Sequence, residues 1–237
     1  MAENKYHRPF QFKQFSISQS NAAMKVGTDG VLLGALADAN QPTSILDIGT
    51  GTGLIAMMLA QRFLHAQINA IEPDTDACTD AVLNFNQTLF QNRIKLQEVS
   101  LQDYHPAQQF DLIVCNPPYY KNALSSGNRQ RDAARHNQFL PFEHLFASAF
   151  TLLSNTGKFY VIVPAESENH LQDLATKNQL YADQFIRISS FSDTSPVRLV
   201  AAFKKEKTEV LIQHEFIYTE ANQRSEWYSR ITGEFYL

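Results

Sequence analysis

From residue 44 to residue 164 the chain alternates short apolar runs with longer stretches of helical length. SILDI (44–48), AQINAIE (66–72), RIKLQEV (93–99), FDLIVC (110–115) and GKFYVIVP (157–164) are short and rich in apolar and β-branched residues, as strands require. LIAMMLAQRF (54–63), TDACTDAVLNFNQ (75–87) and PFEHLFASAFTLL (141–153) are helical in length and composition, and Gly157 soon after the last reads as its stop. Strands separated by helices predict a mostly parallel sheet with helices on both faces. Residues 180–219 differ. LYADQFIRISSF, RLVAAFKK and EVLIQHEFIYT follow one another with little helix between them, which predicts a meander or hairpin forming an antiparallel C-terminal edge to a sheet of seven strands. The first 40 residues hold an aromatic stretch, FQFKQFSI, and a short helix, DGVLLGALAD. They read as an N-terminal extension (1–40) packed on a single domain spanning 41–237.

Composition narrows the class only a little. Hydrophobic residues make up 44% and charged residues 19%, ordinary values for a globular chain. No apolar run approaches the roughly 20 residues needed to span a bilayer, and MAENKYHRPFQF lacks the apolar core of a signal peptide, so no membrane is expected and the cytoplasm is the expected location. Two cysteines, Cys78 and Cys115, suit a reducing compartment. The seven histidines show no ligand spacing with them, and no metal is expected. A net charge of −4 argues against indiscriminate coating of nucleic acid, so any such partner needs a local basic patch.

The chemistry starts at LDIGTGTGLIA. Asp47, Gly49, Gly51 and Gly53 fall between a strand and a helix, where glycines permit a tight turn and a close ligand. The G-x-G-x-G spacing is not the G-x-G-x-x-G of dinucleotide sites. A carboxylate two residues before the first glycine suits a ligand bearing a positive amine. Glu72 ends the second strand, where Rossmann-type sheets hold a ribose diol. Asp103 follows the third strand and can accept from an adenine amino group. Amine, ribose and adenine together describe S-adenosylmethionine as cofactor. Either outer acid alone reads equally well as a solvated strand end.

CNPPYYKN closes the fourth strand. Prolines 117 and 118 stiffen the loop at the carboxyl edge of the sheet, where open α/β sheets bind ligands. An exocyclic amine is a poor nucleophile because its lone pair is delocalised. Two acceptors, the Asn116 side-chain oxygen and the Pro117 carbonyl, can bind its two N–H groups and favour a pyramidal nitrogen aimed at a methyl donor. Tyr119 can stack on a planar substrate. Asn116, Pro117, Pro118 and Tyr119 are therefore the candidate catalytic set.

DIGTGTG followed by NPPY resembles the class I S-adenosylmethionine-dependent amino-methyltransferases, which modify adenine N6, glutamine amides or related nitrogens. FKQFSISQSNAAMKVGTDGVLLGALA, ILDIGTGTGLIAMMLAQR, FDLIVCNPPYY and the ending ITGEFYL are more narrowly similar to bacterial tRNA adenine-N6 methyltransferases acting beside the anticodon of a valine tRNA. The resemblance covers nearly the whole chain. It implies the Rossmann-like methyltransferase fold, a tRNA partner, and Lys25, Thr28 and Asp29 near the methionine end of the cofactor. Tyr120 departs from the phenylalanine expected of many relatives.

The charge pattern allows such a partner. Between residues 119 and 136, Lys121, Arg129, Arg131 and Arg135 face a single acid, Asp132. With Tyr119 and Tyr120 they form the candidate substrate-binding set, beside the proposed catalytic loop. Lys5, Arg8 and Lys13, interleaved with Phe10, Phe12 and Phe15, can extend that surface. Lys204, Lys205 and Lys207 read as readily as a solvated strand end. Three alternatives remain: a protein-glutamine substrate, a DNA substrate, or a catalytically silent S-adenosylmethionine- or RNA-binding module. The first two lack the extra domain they would call for, and the third leaves the intact Asn116–Tyr119 set without a purpose. A monomer is expected.

Overall fold

A computed structural model describes residues 8–22, 25–118 and 140–237. Tyr119, Tyr120, Lys121, Arg129, Arg131 and Arg135 lie outside the described residues, as does Lys5. The described chain begins with a two-stranded ribbon, β1 (Phe10–Gln11) and β2 (Ser16–Ile17), then helix α1 (Thr28–Leu36). The alternating part follows as β3 (Ser44–Ile48), α2 (Leu54–Arg62), β4 (Gln67–Glu72), α3 (Thr75–Asn86), β5 (Ile94–Glu98) and β6 (Phe110–Cys115). After it come α4 (Phe142–Leu152), β7 (Leu153–Pro164), α5 (Glu168–Lys177), β8 (Tyr181–Phe191), β9 (Arg198–Lys204), β10 (Leu211–Glu220), β11 (Gln223–Arg224) and α6 (Glu226–Thr232).

One sheet carries the fold, in the order β11-β10-β8-β9-β7-β6-β3-β4-β5. Strands β3 to β7 run parallel, and β9 enters antiparallel between β7 and β8. The sheet has nine strands rather than seven, because β10 and the two-residue β11 extend it past β8. The expected meander is antiparallel at β7–β9–β8, but β10 runs parallel to β8, so the last long strand does not continue it. Gly157 lies inside β7 rather than after a helix, since the strand already begins at Leu153. Helix α5 has no counterpart in the apolar pattern. Only Leu171, Leu174 and Ala175 are buried in it, which is one narrow stripe at i, i+3 and i+4.

The period of two along each strand sorts the core into two layers. Ile45, Ile68, Leu112, Val114, Tyr160 and Val200 pack with α1, α2, α3 and α6 on one face. Leu46, Ile48, Ile113, Phe159, Val161 and Phe203 pack with α4 and α5 on the other. Two arginines close helix ends. Arg62 Nη1 donates to the Gly34 and Ala37 carbonyls at the end of α1, at 2.9 and 2.5 Å. Arg93 donates to the Ala60 carbonyl in the last turn of α2, at 2.6 Å, and to the Phe63 and Ala66 carbonyls after it, at 3.0 and 3.2 Å. Both place positive charge where the last-turn carbonyls lack partners. The aromatic N-terminal segment joins this face too: Phe12, Phe15 and Ile17 are buried, and Phe12 stacks on Tyr236 with ring centroids 5.7 Å apart. Among the described residues no helix is long and apolar enough to cross a membrane.

Candidate active site

Strand β3 sits where the winding of the sheet reverses, with β4 on one side and β6 on the other, the position at which such sheets open a crevice at their carboxyl edge. The register puts Ile48 beside Cys115, so Gly49 and Asn116 are the first residues beyond two neighbouring strand ends. Gly49, Gly51 and Gly53 all have positive φ, at 68°, 57° and 85°. Their reasons differ. A Cβ on Gly49 or Gly51 would meet nothing within 4 Å, so the turn presents bare backbone to open space. A Cβ on Gly53 would lie 2.3 Å from the Phe85 ring, so that glycine serves the packing of α3 against the turn.

Two carboxylates hold the turn. Asp47 is fully buried, and its Oδ2 accepts from Thr50 Oγ1 at 2.6 Å and Ala56 N at 3.1 Å. Its Oδ1 is buried with no hydrogen-bond partner among the described residues. Burial pushes the Asp47 carboxyl up to about 7, with Glu72 adding to the rise, against the pull of the Thr50 and Ala56 bonds. Glu72 is also buried. Its Oε2 accepts from Gly51 N at 2.9 Å and its Oε1 from Asp74 N at 3.0 Å. Burial raises its pKa, opposed by those two N–H groups. The N–H groups of Gly51 and Ala56 are thus committed to these acids.

At the end of β6, Asn116 is half-buried, Pro117 buried and Pro118 exposed. Helix α1 closes the other side. A Cβ on Gly30 would fall 3.9 Å from Asn116 Nδ2 and 3.0 Å from Leu54, the first residue of α2. The start of α1 is tied to the sheet by an ion pair between Asp29 Oδ1 and Arg198 Nε of β9. The neighbouring Cys115 thiol is buried and held far from ionisation, by desolvation and then by the charges of Asp47 and Glu72. It is a core group rather than a base or nucleophile.

Residues 18–181 match the family model described as the methyltransferase small domain. A tRNA1(Val) (adenine(37)-N6)-methyltransferase of Flavobacterium psychrophilum is 40% identical over 231 residues, spanning 96% of this chain and 99% of its own. The enzyme of the same name in Glaesserella parasuis is 38% identical over 228 residues, spanning 96% and 97%. The chain belongs to the tRNA1(Val) (adenine(37)-N6)-methyltransferase family. Solved structures add the fold alone. A predicted O-methyltransferase of Agrobacterium tumefaciens superimposes with a TM-score of 0.69 at 18% identity, covering 87% of this chain and 96% of its own. A putative RNA methyltransferase of Pyrococcus horikoshii gives 0.54 at 15% identity, covering 74% and 80%.

Within this member of the tRNA1(Val) (adenine(37)-N6)-methyltransferase family, the other expected site residues divide. Asp103 is exposed after β5, and its Oδ2 accepts from Ser100 Oγ at 2.6 Å. Lys25 is exposed, and its Nζ donates to the Ala22 carbonyl at 2.9 Å and to the Gln19 carbonyl, so it closes its own loop. Thr28 opens α1 and is half-buried. Lys13 Nζ donates to the Gly233 carbonyl at 2.5 Å, which commits part of the N-terminal basic stretch to joining the two ends of the described chain. In the third cluster, Lys204 pairs with Asp183 at 2.9 Å, and Lys205 donates to the Leu153 carbonyl at 2.6 Å above the Phe150 ring. Those two lysines serve the fold. Three residues that tie α1 and the segment before it to the rest of the fold were missed in the sequence: Arg198, which pairs with Asp29, and Asp80 and Asn84, which bond to residues 18–22. Arg198 carries no local signal. Asp80 and Asn84 do, as two polar residues one helical turn apart on the face that also carries Ala77, Ala81 and Phe85.

Proposed function

We propose that this chain transfers a methyl group from S-adenosylmethionine to the exocyclic N6 of an adenine in tRNA, the adenine beside the anticodon of a valine tRNA. The observation that carries the reading is the meeting of two motifs: the glycine turn and Asn116-Pro117-Pro118 leave in-register neighbouring strands. The names of relatives about 40% identical over nearly their whole length point the same way.

The residues fit the donor. Asp47 Oδ1, buried and without a partner among the described residues, suits a bound ammonium. Gly49 and Gly51 leave room for a ligand against the backbone. Each Glu72 oxygen accepts one N–H and keeps a lone pair for a ribose hydroxyl. Asp103 would reach the adenine amine, with Lys25 and Thr28 on the methionine side. When bound, S-adenosylmethionine supplies a methyl carbon made electrophilic by its sulfonium.

The chain's own task is to orient the nucleophile. Asn116 Oδ1 and the Pro117 carbonyl accept from the two N–H groups of the target amine and draw its lone pair out of conjugation. Pro117 and Pro118 fix the backbone that carries both acceptors. The nitrogen gains the methyl and loses one proton to solvent, so no strong base is required. Tyr119 would stack on the base, and Tyr120, Lys121, Arg129, Arg131 and Arg135 would grip the surrounding RNA; all six lie outside the described residues and enter by sequence alone. A tRNA substrate fits a cytoplasmic enzyme, and we take the monomer as its working form.

The test is methyl transfer from labelled S-adenosylmethionine to tRNA lacking its modifications, with digestion to nucleosides. N6-methyladenosine from the wild type and little from Asn116→Ala is the expected result. Label in protein, or none beside measurable donor binding, overturns it.

A further inference from the structure

Residues 18–22 lie along α3 and are held there by two polar side chains, both fully buried. Asp80 Oδ2 accepts from Asn21 N at 2.9 Å and Ala22 N at 2.8 Å, and its Oδ1 accepts from Asn21 Nδ2 at 2.8 Å. One turn later, Asn84 Oδ1 accepts from Ser18 N at 2.7 Å. Its Nδ2 donates to the Ser18 carbonyl and to the Thr52 carbonyl, each at 2.9 Å. Thr52 belongs to the glycine turn. One amide therefore ties that turn to the segment leading into α1.

The segment is also closed on itself. Gln19 Oε1 accepts from Val26 N at 2.7 Å, and Lys25 reaches back to the carbonyls of Gln19 and Ala22. Two residues on, α1 begins and brings Gly30 against Asn116. The described parts of residues 18–30 thus run from the glycine turn to the Asn-Pro-Pro loop. Helix packing does not ask for this. Apolar side chains at 80 and 84 would bury at lower cost than a carboxylate and an amide that must be satisfied on every atom.

We propose that Asp80 and Asn84 are positioning residues for the methyl donor: they fix this segment as one wall of the cofactor crevice and set its affinity, while leaving the transfer step to Asn116 and Pro117. The inference rests on the reading of the crevice as an S-adenosylmethionine site. Asn84 is the joint, because its amide bonds to both the wall and the turn.

The test combines calorimetric binding of S-adenosylmethionine with kcat and KM for tRNA methylation, well below each variant's unfolding temperature. Asp80→Asn and Asn84→Ser each lose or mispair one to three hydrogen bonds. We expect Kd and KM for S-adenosylmethionine to rise about tenfold, with kcat at saturating donor within about twofold of wild type. Ala81→Gly is the control, since it weakens the same helix without touching the segment; its melting temperature falls while its Kd stays at the wild-type value. Unchanged affinity in both variants, or an equal loss in Ala81→Gly, overturns the proposal. A wild type that binds no S-adenosylmethionine overturns the crevice reading itself and the proposal with it.

Discussion

Two pairs of acids are held in different ways. The half-buried pair away from the crevice, Asp183 and Glu168, is neutralised by cations. Asp183 on β8 is paired with Lys158 at 2.8 Å and Lys204 at 2.9 Å, and although burial pulls its carboxyl up, the bonds and charges of the two lysines outweigh this and hold it below the usual range. Glu168 at the start of α5 takes a two-pronged contact from Arg187, at 2.8 and 2.6 Å. In the crevice the opposite holds. Asp47 and Glu72 are held by hydroxyl and amide donors, no cation is paired with either among the described residues, and both are pushed up. Asp183 and Glu168 meet their countercharge inside the chain. Asp47 and Glu72 do not, and on the reading proposed above a bound ammonium or hydroxyl would fill that deficit.

Four experiments press on that contrast. The largest effect belongs to a residue outside both groups of acids. Asn116→Ala should lower kcat by about 100- to 1000-fold, as loss of a single transition-state contact does, while melting temperature and donor affinity hold; a weakened donor affinity would show that Asn116 acts on the cofactor instead. Next, Asp47→Asn should weaken S-adenosylmethionine binding by about 10- to 100-fold, the worth of a hydrogen bond to a charged partner, and calorimetry reads this directly.

The third experiment varies pH. Because the Asp47 carboxyl sits at about 7 without ligand, it must shed a proton to meet an ammonium as pH drops below that value. Donor affinity should therefore fall by as much as about tenfold per pH unit below 7, and Asp47→Asn should flatten the profile. The linked stability has the opposite sign. A carboxyl raised on folding favours the folded state at low pH, so this group's contribution to the unliganded protein is lost as pH rises from about 4 through 7. Chemical denaturation across that window tests it. The smallest change is expected from Asp183→Asn, which should cost about 1 kcal/mol, or about 2–4 °C in melting temperature, and leave donor affinity untouched.

The sequence was most legible where the signal is local. The inner parallel strands show as short apolar runs, because a strand covered on both faces needs no alternation, whereas β5 at the edge alternates. The glycine turn and Asn-Pro-Pro are contiguous words at strand ends, so each could be placed from the residues around it, while their adjacency rests on the pairing of β3 with β6. Illegible features depend on distant partners. That Gly53 makes room for Phe85, or that Lys204 answers Asp183, is decided by residues about 20 to 30 positions away. Nothing local separates β10 parallel to β8 from a continued meander, since the same apolar alternation serves either direction. Helix α5 hid because three buried positions make too thin a stripe.

The place of β9 has a consequence for how the protein is made. A ribosome releases β8 before β9, yet β8 cannot lie against β7, because β9 occupies the space between them. For the time needed to add residues 192–204, about one to three seconds at ordinary elongation rates, β8 is a finished strand with no seat. A chain halted there would hold the glycine turn, both crevice acids and Asn116, beside an apolar strand open to any neighbour. A translation pause over residues 192–204 would lengthen the time for which that strand stays unseated.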